Sequence, residues 1–331
     1  MANPFSVVPR LDEDLARVEQ RLLEATATDN PAMTAMARHL LLAGGKRIRP
    51  SCCLAAASLG APVGEGSGAS AATIDAAAAI ELVHLGSLYH DDVIDHAATR
   101  RGVPSVNARW DEATAIVSGD FVLAQASVLS TTAGAGITAL LASTIGRLCD
   151  GQLLELESQF DTGRTAERYR ASALGKTAAL LETSCRVGAL CGGAEPDVID
   201  VVAAFGRSYG IAFQLLDDVI DLTATVEEAG KPTSHDMAQG VYTLAVIAAL
   251  GSADGDRLRS LLRPGAGAAE RDEALAIVRR GPWIDDVIGE AAAHAGAAAD
   301  ALDHLPPRPG LVGFRAAADQ LVRSVDGIRR S

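Results

Sequence analysis

The sequence predicts an all-α fold, a single helical domain over residues 1–331. Three observations carry that prediction. Alanine is abundant while aromatic residues make up only 4%, a mixture that favours helix over sheet. Apolar residues recur at three- and four-residue spacing almost throughout, and no alternating strand pattern of useful length occurs. Breaks rich in glycine, proline and small polar residues separate these stretches, but no low-complexity linker divides the chain.

Taken in order, LARVEQRLLEA following Asp12 reads as the first amphipathic helix. After a break at 60–70, Thr73 predicts the cap of a long helix, TIDAAAAIELVHLGSLYHDDVIDHA, with Asp75 near its positive end. Gly119 and Asp120 in SGDFVLAQA predict a further helix start, and PDVIDVVAAFGRSYGIAFQLLDDVIDL predicts a helix of several turns. More breaks are expected at 160–168, 224–236, 251–256, 263–268 and 305–310.

A net charge of −13 argues against a nucleic-acid backbone or an anionic membrane as partner, because both need a basic surface. It leaves room for small phosphorylated ligands bridged by metal ions or a few placed arginines. The five cysteines lie at irregular spacings with no CxxC pair, which predicts reduced core thiols in a cytoplasmic protein. MANPFSVVPRLDED has no basic start followed by an apolar stretch, so no signal peptide is expected. The longest uncharged window, Gln125 to Gly146, is diluted by Ser, Thr and Gly and predicts no membrane span.

Two segments concentrate the chemistry. HDDVIDHAATRRG (90–102) sets Asp91, Asp92 and Asp95 beside an apolar run, and LLDDVID (215–221) repeats the pattern with Asp217, Asp218 and Asp221. On a helix, positions i and i+4 are about 40° apart around the axis and roughly 6 Å apart along it, so Asp91 and Asp95 project toward one point. Asp217 and Asp221 do the same. All-oxygen ligands with room for water suit Mg²⁺, which takes one or two carboxylates plus substrate phosphates. A lone DDVI is weak evidence: IDDVIG at 284–289 has Gly289 where the second carboxylate would stand and is assigned to structure. The first two copies have basic company. His84 lies nearly two turns before Asp91, Arg100 and Arg101 follow the first cluster, and GGKRIRP (44–50) adds Lys46 and Arg49 beside a glycine pair. His90 and His96 are read as structural or solvent-facing.

These motifs, in this order, resemble the trans-isoprenyl diphosphate synthases, the polyprenyl synthetase family, from GGKRIRP to GKPTSHD. The resemblance implies a helical bundle around a deep central cavity, usually a homodimer. It also implies Mg²⁺-dependent head-to-tail condensation of isopentenyl diphosphate onto an allylic diphosphate, with about three ions. Carried onto this chain, Asp91 and Asp95 ligate two ions with Asp92 in support. Asp217 holds the third, with Asp218 and Asp221 acting directly or through water. Arg100 grips the allylic diphosphate, and Lys46, Arg49, His84 and Arg101 form the isopentenyl diphosphate site. Lys176 and Thr177 in GKTAALLE, with Gln214 in AFQLLDD, lie near the leaving group and developing cation, and Lys231 closes over the allylic diphosphate. One stretch departs from the family pattern: in DMAQGVYTLA (236–245), Val241 stands for the usual lysine, Gln239 for glutamate and Ala245 for proline. One cation near the allylic diphosphate is therefore missing.

The family positions that floor the cavity are Gly86 and Ser87, both small, with Leu82 and Val83 a turn deeper. By analogy with the family this implies a medium- to long-chain product of roughly thirty to fifty carbons, the next limiting layer being about one helical turn of 5.4 Å deeper. The alternatives are a shorter-chain synthase, a class I terpene cyclase and a non-catalytic partner subunit. Glu81 and His84 also form one ExxH element, half of a di-iron signature, but no second copy accompanies it.

Overall fold

The computed structural model describes residues 3–60, 68–223, 235–305 and 307–330. A short 3-10 turn, Pro4–Val7, leads into α1 (Leu11–Ala25), α2 (Pro31–Leu42), α3 (Ile48–Ala57) and α4 (Ala71–Ile94). A two-residue antiparallel pair follows, β1 (Thr99–Arg100) with β2 (Val103–Pro104). Then come α5 (Val106–Arg109), α6 (Glu112–Ser130), α7 (Ala135–Leu156), α8 (Ala166–Ala173), a π-helical turn at Leu174–Ala178 and α9 (Ala179–Cys191). The long α10 (Pro196–Thr223) carries the second aspartate motif. The chain ends through α11 (His235–Ala238), α12 (Leu244–Leu250), α13 (Gly255–Leu261), α14 (Ala268–Arg280), α15 (Trp283–Ala301) and α16 (Leu311–Arg330).

The all-α expectation holds, with two boundaries corrected. The cap of α4 is Ser70, whose hydroxyl accepts from the Thr73 N–H, so the helix begins before the expected Thr73. Asp75 is tied to Arg21 at 2.6 Å and to the Thr132 hydroxyl at 2.8 Å, a tertiary role beyond the helix dipole. Gly119 and Asp120 lie inside α6, which starts seven residues earlier behind Asp111, whose carboxylate accepts from the Thr114 N–H.

The chain, expected as one domain, packs as two compact units, each assembled from discontinuous stretches: Met1–Ile145, Leu180–Gly206 and Ala301–Ala317 in the first, and Gly146–Ala179, Arg207–Asp300 and Ala318–Ser331 in the second. In the first unit α4 is the central helix. Ala76 to Ile80, Leu82, Val83 and Leu85 are fully buried, and α4 packs chiefly on α6, α3 and α1. Each buried Leu, Ile or Val there contributes about 1.5–3 kcal/mol. Phe5, Phe314 and Phe205 close one end of this core by edge-to-face contacts at 5.4 and 5.0 Å. In the second unit the C-terminal half of α10 buries Leu215, Leu216, Val219 and Leu222, and Tyr169 and Tyr242 belong to the same core.

Three helices, Ala71–Ile94, Glu112–Ala133 and Pro196–Thr223, are long and apolar enough to cross a membrane by length and composition. The sequence reading expected no membrane span, and these helices qualify by length and composition alone. For α4 the apolarity is internal packing, since 72% of its window is buried, whereas only 39% is buried in Glu112–Ala133.

Candidate active site

The first centre belongs to the first unit. α4 ends at Ile94 with Asp95 as its C-cap, and the Asp95 N–H donates to the Asp91 carbonyl at 2.8 Å. The last turn is therefore helical, and Asp91 and Asp95 share one half-buried face. Asp92, turned about 100° away, is fully buried. Arg100 reaches it from β1, donating from Nε and Nη2 to Oδ1 at 2.7 Å each, while Oδ2 is buried without a partner. Burial raises the Asp92 carboxyl above the usual range, against the opposing pull of Arg100.

Behind this cluster, arginines gather around one buried glutamate. Arg47 donates to Glu81 at 2.9 Å and also pairs with Glu19; Arg101 Nη2 lies 3.9 Å from Glu81. Arg101 also donates to the Leu40 carbonyl at 3.1 Å and to the Gly44 carbonyl. Arg47 (φ 50°) and Arg101 (φ 55°) both adopt the left-handed conformation, a strain of order 1–3 kcal/mol per residue that clusters at functional sites. Gly45 between them is required: a Cβ there would stand 2.8 Å from Arg47 Nη1 and 3.1 Å from Arg101 Cζ. Of the glycine pair in GGKRIRP, Gly45 thus makes room for guanidinium groups, while Gly44 (φ 86°) supplies the left-handed turn.

Lys46 is exposed beside this group, and Arg49 is half-buried with Nε unpartnered. Burial holds His84 well below the usual imidazole range, and Arg49, Arg101, Arg100 and Arg47 push it the same way. The positive field of these arginines, which helps keep His84 neutral, suits an anionic ligand better than a metal cation. Glu81, their counter-ion, is committed to Arg47, which removes the di-iron reading.

The second centre belongs to the second unit, and its motif divides labour in the same way. Asp217 is exposed, Asp221 half-buried and Asp218 buried. Asp218 accepts from Gln214 Nε2 at 2.7 Å and from the Tyr169 hydroxyl, and the Gln214 carbonyl accepts from Thr177 at 2.6 Å. Burial pushes the Asp218 carboxyl up to about 7 even though both bonds lower it. Asp221 accepts from the His235 and Asp236 amides at 3.3 Å. Burial and then Asp218, Asp221, Glu155 and Asp217 raise Asp236 well above the usual range. Lys176 donates to Glu155 at 2.6 Å. Lys176 and Thr177 sit in the π-turn, a distortion frequent at functional sites.

Among the described residues, no three His, Cys, Asp or Glu side chains form a closed metal cage. Mg²⁺ does not need one, because it keeps waters and takes substrate phosphates. Mutually repelling carboxylates in the second unit and the orphaned Asp92 oxygen in the first fit that donor set.

Among the described residues, Arg49, His84, Arg100 and Arg101 lie with the first cluster and Lys176, Thr177 and Gln214 with the second; no side-chain contact places Lys46, and Lys231 lies outside the described residues. Gly86 is pressed against α6: a Cβ there would stand 2.7 Å from Leu123 Cγ and 3.2 Å from the Gly119 carbonyl. Ser87 is half-buried and donates to the His84 carbonyl at 2.8 Å. The sequence reading missed Arg47, Glu155, Arg164, Tyr169 and Asp236. Arg47 lies inside the basic loop already singled out, so charge alone could have flagged it.

These features define an all-α protein with two acidic motifs and a cluster of arginines around a buried glutamate. The chain matches the polyprenyl synthetase family model over residues 30–278. It is 36% identical to a nonaprenyl diphosphate synthase of Mycobacterium tuberculosis over 93% of this chain and 91% of that one. A decaprenyl diphosphate synthase from Rhodobacter capsulatus superposes with a TM-score of 0.87 at 30% identity, covering 95% of this chain and 97% of that chain. A geranylgeranyl pyrophosphate synthase from Corynebacterium glutamicum, complexed with calcium and isoprenyl diphosphate, gives 0.80 at 33% identity, covering 96% of each. The chain belongs to the polyprenyl synthetase family.

Proposed function

We propose that the chain is a Mg²⁺-dependent prenyltransferase that extends an allylic diphosphate head-to-tail with isopentenyl diphosphate, giving a medium- to long-chain product. The observation that carries this reading is the shared build of the two DDVID motifs: in each, the second aspartate is buried and held by side-chain donors, while the first and fifth stay nearer the surface. A merely solvated acidic helix would not spend buried partners on its middle carboxylate.

Asp91 and Asp95 would hold two ions, and Asp217 with Asp221 a third. When bound, magnesium neutralises the diphosphate as it departs. Arg100, kept in place by Asp92, binds the allylic diphosphate. Lys46, Arg49 and Arg101, with neutral His84, bind isopentenyl diphosphate. Lys176, Thr177 and Gln214 supply fixed dipoles near the developing cation, and the departing diphosphate takes the final proton, so no strong protein base is needed. Lys231 would close over the allylic diphosphate.

The relatives named above span nonaprenyl, decaprenyl and geranylgeranyl synthases. A small residue at 87 favours the longer products, about thirty to fifty carbons by analogy with the family, whereas Gly86 is taken up by packing against α6. Dimer formation and a cytoplasmic location complete the proposal. The free cysteines are consistent with a reducing compartment.

The test is incorporation of isopentenyl diphosphate by the purified chain with Mg²⁺ and several allylic primers, followed by chain-length chromatography. Turnover should require both substrates. Hydrocarbon formed from an allylic diphosphate alone would indicate a cyclase instead, and no incorporation would indicate a partner subunit.

A further inference from the structure

Arg164 is the least economical side chain of the second unit. It is 4% exposed, yet among the described residues only Nη1 has a hydrogen-bond partner, the Tyr242 carbonyl at 3.1 Å, while Nε and Nη2 are buried with none. Two orphaned donors on a buried cation are costly, and a hydrophobic side chain of similar size would commonly be as stable or more so. Fold stability alone therefore does not account for an arginine here.

Its surroundings lead to the acidic motif. The guanidinium lies over the Tyr169 ring at 5.4 Å, and the Tyr169 hydroxyl donates to Asp218, which also accepts from Gln214. On the other side Arg164 holds the carbonyl of Tyr242. Nearby, the Phe160 N–H donates to the Gly240 carbonyl at 2.8 Å, so the turn before α8 grips the 240–242 segment twice. That segment begins four residues after Asp236, whose carbonyl accepts from the Val241 N–H at 2.8 Å and whose amide donates to Asp221. Val241 brings no charge, and among the described residues Arg164 is a cation hydrogen-bonded to this stretch. Its charge also faces Glu155 and Asp218 across the buried interior, with Arg168 opposing.

We propose that Arg164 is a positioning residue for the second aspartate motif, acting through Tyr169 on Asp218 and through the 240–242 segment on Asp221, at a net cost to fold stability. The inference rests on the prenyltransferase reading for its chemistry, while its physical signature is independent of turnover. Arg164→Met removes the cation and donors with little change in volume, and Arg164→Lys restores a charge able to reach the carbonyl.

The experiment compares both variants with the wild type in three measurements: thermal midpoint without ligand, calorimetric affinity for inorganic diphosphate in excess Mg²⁺, and steady-state kinetics. For Arg164→Met we expect an unchanged or raised midpoint, at least tenfold weaker diphosphate binding, and a fall in kcat with the KM for isopentenyl diphosphate within twofold of wild type. Arg164→Lys should recover part of the binding. A midpoint that falls in step with binding, or failure to fold, would make Arg164 merely structural and overturn the inference. Diphosphate affinity within twofold of wild type would overturn it as well. A wild type that binds diphosphate but incorporates no isopentenyl diphosphate would count against the prenyltransferase reading and leave the calorimetric comparison to decide the role of Arg164.

Discussion

At the residue scale, the aspartates of each motif divide into two kinds, and substitutions should separate them. Asp91 and Asp217 lie nearer the surface, so Asp91→Ala and Asp217→Ala should lower turnover about 100- to 1,000-fold, the scale of lost transition-state electrostatics. Their thermal midpoints should move little. Equal activity in these variants would refute the metal roles. Asp92→Ala should instead lose stability as well as activity, because it strips Arg100 of a buried partner. His84 makes a different kind of prediction, in pH. Its folded imidazole titrates well below its ordinary value of 6.5, so between those two values the unfolded chain takes up a proton that the native state refuses. Stability contributed by neutral His84 is therefore present above about pH 6.5 and lost as the pH falls below it. In thermal melts from pH 7.5 to 5.5, His84→Gln should show a smaller drop than wild type. An identical drop would mean that the imidazole is accommodated as a cation after all.

At the element scale, long helices were legible because their apolar period is strong. α1 and α10 fall where LARVEQRLLEA and PDVIDVVAAF predict them. Boundaries were not, because several small polar residues compete for one cap: Ser70 and Thr73 are both competent, and only tertiary packing selects Ser70. Gly119 with Asp120 looked like a helix start, yet Gly119 lies inside α6 and serves close contact between α4 and α6 at the His90 ring. The same contact changes how chain length should be tested. A bulky residue at 86 must displace Leu123, so Gly86→Phe should cost about 1–3 kcal/mol of stability by overpacking. Leu123→Ala should return part of that loss in the double mutant, by non-additivity of touching residues. Ser87→Phe is the cleaner probe of product length, since Ser87 is half-buried. It should shorten the product distribution on chromatography, and unchanged lengths would exclude Ser87 as a floor.

At the whole-molecule scale, order of motifs was legible and surroundings were not. GGKRIRP, the two DDVID segments and GKTAALLE could be read in sequence, but Glu155, Tyr169 and Asp236 carry no local pattern and emerge only from long-range contacts within the second unit. Partner choice belongs to this scale too. Along α6 the apolar side chains Ile116, Val117 and Val128 are 45%, 55% and 59% exposed, although the helix is apolar enough to span a membrane. Exposed apolar side chains on so apolar a helix point to a partner. A second copy of the chain satisfies it without requiring a basic surface, whereas a chain of charge −13 is repelled by anionic lipid. A stable homodimer buries about 1,200–2,000 Å² in total or more, and a glutamate at the centre of such an interface costs several kcal/mol when left unpaired there. Val117→Glu and Val128→Glu together should therefore convert a dimer to a monomer in light scattering coupled to size exclusion, with helical circular dichroism retained. A wild type that is monomeric at micromolar concentration, or a double variant that remains dimeric, would rule out this face as the dimer interface; flotation of wild type with neutral vesicles would identify a membrane as its occupant.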